Sequence, residues 1–91
     1  MDILNELYNV ILDRKAHPTE GSYTNYLLEK GTEKIAKKVG EEAVETAIAA
    51  AKDSKSEVIG EIADLYYHVL VLMADMDISI EDVEKELRSR R

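Results

Sequence analysis

No cysteine occurs in the 91 residues. That excludes a disulfide framework and any zinc site built on thiolates. Proline occurs once and glycine four times, too little punctuation for a fold of many short strands and turns. Basic side chains are outnumbered, 12 against 19 acidic ones, for a formal charge of −7. A surface that neutralises phosphates with Lys and Arg is therefore not expected, nor is nucleic acid as a partner. Long apolar runs are also missing. The longest, Val69 to Ala74, has six residues, against the roughly 20 needed to span a bilayer, so no membrane partner is expected. The start, Met1-Asp2-Ile3, is acidic and lacks the basic region of a signal peptide, which makes the cytoplasm the expected compartment. Yet 45% of the residues are hydrophobic, too many for a disordered acidic tail. One domain over residues 1–91 is expected. A domain this small buries only about 60–65% of its unfolded surface, so completion by a partner subunit is a natural route to stability.

What is present is helical periodicity throughout. Ile3, Leu4, Leu7, Tyr8, Val10 and Ile11 pattern a first helix, with Asp2 as its N-cap, ending before Pro18. Ser22 suits the N-cap of a short helix from Tyr23 to Lys30. Gly31 suits a C-cap and Thr32 the next N-cap, unless the chain runs on with a kink. A helix from Glu33 to about Lys52 follows, then a loop at Asp53–Ser56 and a long helix from Glu57 to Ala74 or slightly beyond. Ser79 and Asp82 read as a capping-box variant opening a last helix. The expected fold class is all-α, a bundle of four to five helices, without internal repeats or low-complexity segments.

The segment Glu57–Met76 departs from the pattern of a surface helix. At about 100° per residue its apolar side chains go nearly all the way round. Val58, Ile62, Val69 and Met73 lie on one side, and Ala63, Tyr67, Leu70 and Ala74 on the other. A small monomer cannot bury such a helix, so a homo-oligomer with this helix near its centre is expected. Its polar residues Glu57, Glu61, Asp64, His68 and Asp75 gather in an arc of roughly 60°. No Lys or Arg occurs from Ser56 to Glu84, so the acids have no cation on their own helix. Either the stripe faces solvent, or it faces a cation, being a metal or a lysine from elsewhere.

The preceding helix offers a counterpart. Glu42 and Glu45 are three apart, as are Glu61 and Asp64, and residues at that spacing share a helix face. A turn near Asp53–Ser56 would bring the two pairs to similar heights in an antiparallel hairpin. Four converging carboxylates suit Mg²⁺ or Mn²⁺, hard ions that act on phosphates, and a pair of ions about 3.5–4 Å apart could share them. The plainer alternative is solvated helix faces, with Glu41 and Glu42 paired to Lys37 and Lys38. Gly40 and Gly60 each precede one of these acids, and each costs a helix about 1 kcal/mol relative to Ala. They allow close backbone approach to a helix or ligand, or simply pack between helices. Lys34 and Lys38 would reach one side of the cluster, as phosphate counter-charges or as members of a salt-bridged face. His68 reads as a hydrogen-bonded residue beside the acids rather than a ligand to a hard ion.

The blocks Gly21-Ser22-Tyr23-Thr24, Leu27-Leu28, Lys30-Gly31, Lys34-Ile35, Lys37-Lys38-Val39-Gly40-Glu41-Glu42-Ala43-Val44-Glu45 and Glu61-Ile62-Ala63-Asp64-Leu65-Tyr66-Tyr67-His68 together resemble the phosphoribosyl-ATP pyrophosphohydrolases. More broadly they resemble the MazG-like all-α nucleoside triphosphate pyrophosphohydrolases. The resemblance covers nearly the whole chain. It implies hydrolysis of phosphoribosyl-ATP to phosphoribosyl-AMP and pyrophosphate with Mg²⁺, the second step of histidine biosynthesis, by a helical homodimer. It implies that Glu42, Glu45, Glu61 and Asp64 hold the metal. Glu41, Glu42 and Glu45 would carry the catalysis, with Glu41 a further ligand or a group that orients water. Lys34, Lys37 and Lys38 are implied phosphate contacts, and Ser22, Tyr23 and Thr24 cap or contact substrate at a helix N-terminus. Arg14 is a minor candidate. The alternatives are a house-cleaning pyrophosphohydrolase of ordinary or damaged nucleotides, and a non-catalytic dimerisation module.

Overall fold

Capping chemistry divides the chain into five helices, and a computed structural model describes residues 2–91 of it. Helix α1, Asp2–Ala16, carries Asp2 inside its first turn rather than at the N-cap, where the charge still complements the helix dipole. It ends two residues before Pro18, as the restriction on pre-proline residues requires. Helix α2, Tyr23–Lys30, opens on Ser22, whose Oγ accepts from the Asn25 N–H at 3.2 Å. Gly31 then breaks the path with φ +96°, ending α2 and opening α3, Thr32–Ala51. A side chain at that φ would be strained, which is why a glycine stands there. The chain therefore breaks rather than kinks. Thr32, expected as an N-cap, is already helical, and its hydroxyl donates to Asp75 at 2.5 Å.

Two aspartates end the long helices. Asp53 and Asp77 adopt left-handed backbone angles, φ 55° and 58°. Beyond each, an N–H reaches back across the last turn, Ser54 to the Ala49 carbonyl at 3.3 Å and Ile78 to the Met73 carbonyl at 2.8 Å. Asp tolerates this conformation better than most residues with a Cβ. Between these stops runs α4, Lys55–Asp75, capped by Ser54. Helix α5, Ile80–Ser89, begins with the expected capping box, Ser79 and Asp82 bonding reciprocally at 2.9 and 3.0 Å.

Helices α3 and α4 form an antiparallel hairpin, and α1 and α2 close over the end remote from its turn. There Tyr8, Ile11, Leu27, Ile35, Leu70, Val71, Met73 and Ala74 make the core. Lys15 of α1 donates to the Ala74 carbonyl at 2.7 Å and pairs with Asp77 at 3.0 Å, placing positive charge at the negative end of α4. The turn end of the hairpin is bare. Val44 is 59% exposed, Ile48 54% and Ile59 69%. So α4 is enclosed only over its second half, where the all-round apolar pattern is matched by burial of His68, Leu70, Val71, Met73 and Ala74. Helix α5 buries none of its residues. No helix among the described residues is long and apolar enough to cross a membrane.

Candidate metal centre

The acidic stripe of α4 does not behave as one unit. At its start Glu57 pairs with Lys52 at 3.2 Å, a lysine from beyond its own helix. At its end Asp75 accepts from Thr32. The middle faces α3. There the antiparallel register brings Glu42, Glu45 and Glu61 together, each offering an oxygen within 4.8 Å of the others'. Asp64 stands one turn further along α4, lines the same cleft of about 360 Å³ with Glu45 and Glu61, and acts electrostatically on Glu42 and Glu61. Glu41 lies outside this group, exposed and 3.4 Å from the Lys38 that also pairs with Glu42.

Glu42 is the buried member, 6% exposed. One of its oxygens lies 3.6 Å from the Lys38 ammonium. The other, Oε2, is buried without a hydrogen-bond partner among the described residues. Such an oxygen is costly unless a cation or donor reaches it. Burial pushes the Glu42 carboxyl up, the neighbouring Glu45 carboxylate pushes it further, and Lys38 works against them. Glu61 is also raised, first through its hydrogen bond with Glu45 and then through burial. The three therefore form a group that cannot comfortably hold all its negative charge alone, the condition that a divalent cation relieves.

Lys38 is held by burial, which lowers its pKa, against the Tyr23 phenol and the acids Glu41 and Glu42, which outweigh it and raise it. Among the described residues no ion pair engages Lys34 or Lys37. The pairing expected between Glu41 or Glu42 and a lysine thus falls to Lys38 alone. Of the loop block, Ser22 is engaged as the cap of α2 and Thr24 Oγ1 bonds the Tyr67 hydroxyl. Tyr23 bonds His68 at 3.1 Å with its ring half in solvent. Arg14 pairs with its neighbour Asp13 at 3.3 Å. His68 is buried and hydrogen-bonded, as its place beside the acids suggested. Its link to Tyr23 joins residues 45 positions apart, and no periodicity signals such a pair. A Cβ on Gly40 or Gly60 would meet nothing within 4 Å, so neither glycine serves a close approach inside the protomer.

Residues 4–91 match the family model described as phosphoribosyl-ATP pyrophosphohydrolase. The chain is 58% identical over 89 residues to the phosphoribosyl-ATP pyrophosphatase of Clostridium acetobutylicum, covering 98% of this chain and 81% of that protein. It is 58% identical over 88 residues to the phosphoribosyl-ATP pyrophosphatase of Listeria innocua, covering 97% of this chain and 84% of that one. A third similarity, 58% over 84 residues, is to the histidine biosynthesis bifunctional protein HisIE of Thermoanaerobacter pseudethanolicus; it covers 92% of this chain and 39% of that longer protein.

Proposed function

Because the chain belongs to the phosphoribosyl-ATP pyrophosphohydrolase family, we propose that it hydrolyses phosphoribosyl-ATP to phosphoribosyl-AMP and pyrophosphate, the second step of histidine biosynthesis. Water adds across the α–β phosphoanhydride. Its oxygen bonds to the α-phosphorus, the bridging oxygen departs with pyrophosphate, and the protons of the water pass to solvent and products.

The observation that carries this reading is the orphaned, buried Oε2 of Glu42 beside Glu45 and Glu61. An all-oxygen donor set fits Mg²⁺, and the nearby imidazole of His68 has both nitrogens engaged elsewhere. Glu42, Glu45 and Glu61 hold the ion, with Asp64 completing the set from the next turn. A divalent cation in that position supplies charge neutralisation for the carboxylates and for the phosphate oxygens of the substrate. Glu41, exposed beside Lys38, orients water at the edge of the group. Lys34, Lys37 and Lys38 contact phosphate and offset the charge of the departing pyrophosphate. With the Ser22 and Thr24 hydroxyls engaged, the Ser22-Tyr23-Thr24 block contributes the backbone N–H groups of the α2 N-terminus, a natural anion site.

The enzyme works in the cytoplasm as a homodimer in this account. Support for the dimer comes from an exposed apolar stretch of the hairpin that borders the acidic cleft at Ile48. Gly40, Val44, Ala47, Ile48 and Ala51 line it on α3, and Ile59 and Tyr66 on α4. Apolar stripes of this kind are rarely left to solvent. The test is pyrophosphate release from phosphoribosyl-ATP by purified protein, with Mg²⁺ or with EDTA, beside a panel of ordinary nucleotides. Metal-dependent release with phosphoribosyl-AMP as co-product is expected. Release from the panel but not from phosphoribosyl-ATP would overturn the substrate, and no release at all would overturn the hydrolase.

A further inference from the structure

His68 is 5% exposed and lies one turn beyond Asp64. Its Nδ1 is 2.7 Å from the Asp64 carbonyl oxygen. A carbonyl only accepts, so Nδ1 carries the proton, and in the neutral ring Nε2 is bare. The Tyr23 hydroxyl, 3.1 Å from Nε2, is therefore the donor. With its one proton committed, the phenol oxygen has only lone pairs to offer its surroundings. Lys38, on the neighbouring α3, lies 3.4 Å from Glu41 and 3.6 Å from Glu42. Polarity thus runs one way, from the Tyr23 hydroxyl through the imidazole to the Asp64 carbonyl on the backbone of α4.

Packing holds this chain in place. The Tyr23 ring meets His68 edge-on, with centroids 5.8 Å apart and planes at 79°. Tyr67 meets it from another side at 5.0 Å and 84°, and is itself tied to Thr24. The imidazole cannot turn over without breaking both hydrogen bonds.

From this geometry we infer that Tyr23 and His68 are positioning residues for the phosphoribosyl-ATP reaction. They fix α2 to the Asp64 carbonyl of α4, one turn from Glu61. The inference rests on the function proposed above. It adds that the aromatic pair acts through the α4 backbone, with the phenol proton directed inward rather than at the substrate.

Two measurements on the full chain test it. The first is the ¹⁵N NMR signature of His68 in the metal-free wild type, where the Nδ1–H tautomer is expected. The Nε2–H tautomer would overturn the inference. The second is a double-mutant cycle. Tyr23→Phe removes the donor, and His68→Asn retains a donor toward the Asp64 carbonyl while removing the acceptor for Tyr23. Each is expected to lower kcat by about 10–100-fold, the scale of lost outer-shell partners, with KM changed less than about threefold. The double variant should fall no further than the singles, because all three break the same bond. A Tyr23→Phe enzyme within about twofold of wild type would overturn the role, and so would losses that multiply in the double variant. Should the wild type itself release no pyrophosphate from phosphoribosyl-ATP, the functional reading fails and the positioning role fails with it. The tautomer would then still report whether the hydrogen-bond chain exists.

Discussion

At one end of the α3–α4 hairpin, Ile35, Leu70, Val71 and Ala74 are enclosed by α1 and α2. At the other, Val44, Ile48 and Ile59 of the same two helices meet solvent. The buried polar groups differ in the same sense. His68, toward the enclosed end, has both ring nitrogens satisfied. Glu42, in the open half, has a buried oxygen with no partner among the described residues. The enclosed half supplies the stability. The open half gathers Glu42, Glu45 and Glu61 beside a single paired lysine, Lys38, the arrangement on which the proposed cation site is built. Changes to the two halves should therefore have separable effects.

The largest separation is expected at the carboxylates. Glu45→Gln and Asp64→Asn should each lower Mg²⁺-dependent pyrophosphate release by more than about 100-fold, beyond the usual cost of an outer-shell partner, with unchanged circular dichroism. Loss of fold along with activity would break the comparison. Next comes the core. Ile35→Ala in the enclosed half should cost about 2–5 kcal/mol, read as a lowered melting temperature. Ile48→Ala in the open half should change protomer stability by no more than about 0.5 kcal/mol, while weakening self-association in sedimentation.

Acidity sharpens the contrast further. Glu42 is raised by its burial and then by Glu45. A carboxyl raised in the folded state favours folding fully below its unfolded pKa, and that contribution is lost as pH rises through the folded value. Glu57, lowered by Lys52, and Asp82, lowered by Ser79, act in the opposite sense, favouring folding at higher pH and losing that effect as pH falls. Glu42→Gln removes only the first contribution. In EDTA its gain in melting temperature over wild type should be larger at about pH 7.5 than at about pH 5. An equal gain at both would mean that Glu42 titrates normally. The smallest effect concerns Gly40, where no atom lies near enough to meet a new Cβ. Gly40→Ala should stabilise the protomer by about 1 kcal/mol through helix propensity. A loss of stability that grows with protein concentration would instead place a second copy on that face.

Most of the fold was legible because it is written in local chemistry. The caps at Ser22 and Ser79 and the stop before Pro18 each depend on a few neighbouring residues, whereas at Gly31 the same local rules allowed a cap or a kink. Thr32 was read as a cap because local rules see its hydroxyl but cannot see Asp75, 43 residues away. The carboxylate group was legible for a different reason. Two pairs at a spacing of three, on helices joined by a short turn, face each other by geometry alone, although only Glu42, Glu45 and Glu61 come together, and Asp64 lines the same cleft outside that group. The family resemblance gave the reaction, which no spacing could have given. The Tyr23–His68 bond was not legible, since it depends on how α2 docks on α4.

The most direct test of this division is a calorimetric titration of Mn²⁺ or Mg²⁺ into metal-free protein, comparing wild type with Glu42→Gln and Ile35→Val. Wild type and the core variant should bind the ion alike, with protons released as it binds. Glu42→Gln should bind at least about tenfold more weakly while remaining folded. Undiminished affinity in Glu42→Gln, or affinity lost equally in the core variant, would contradict the assignment of the open half as the metal centre.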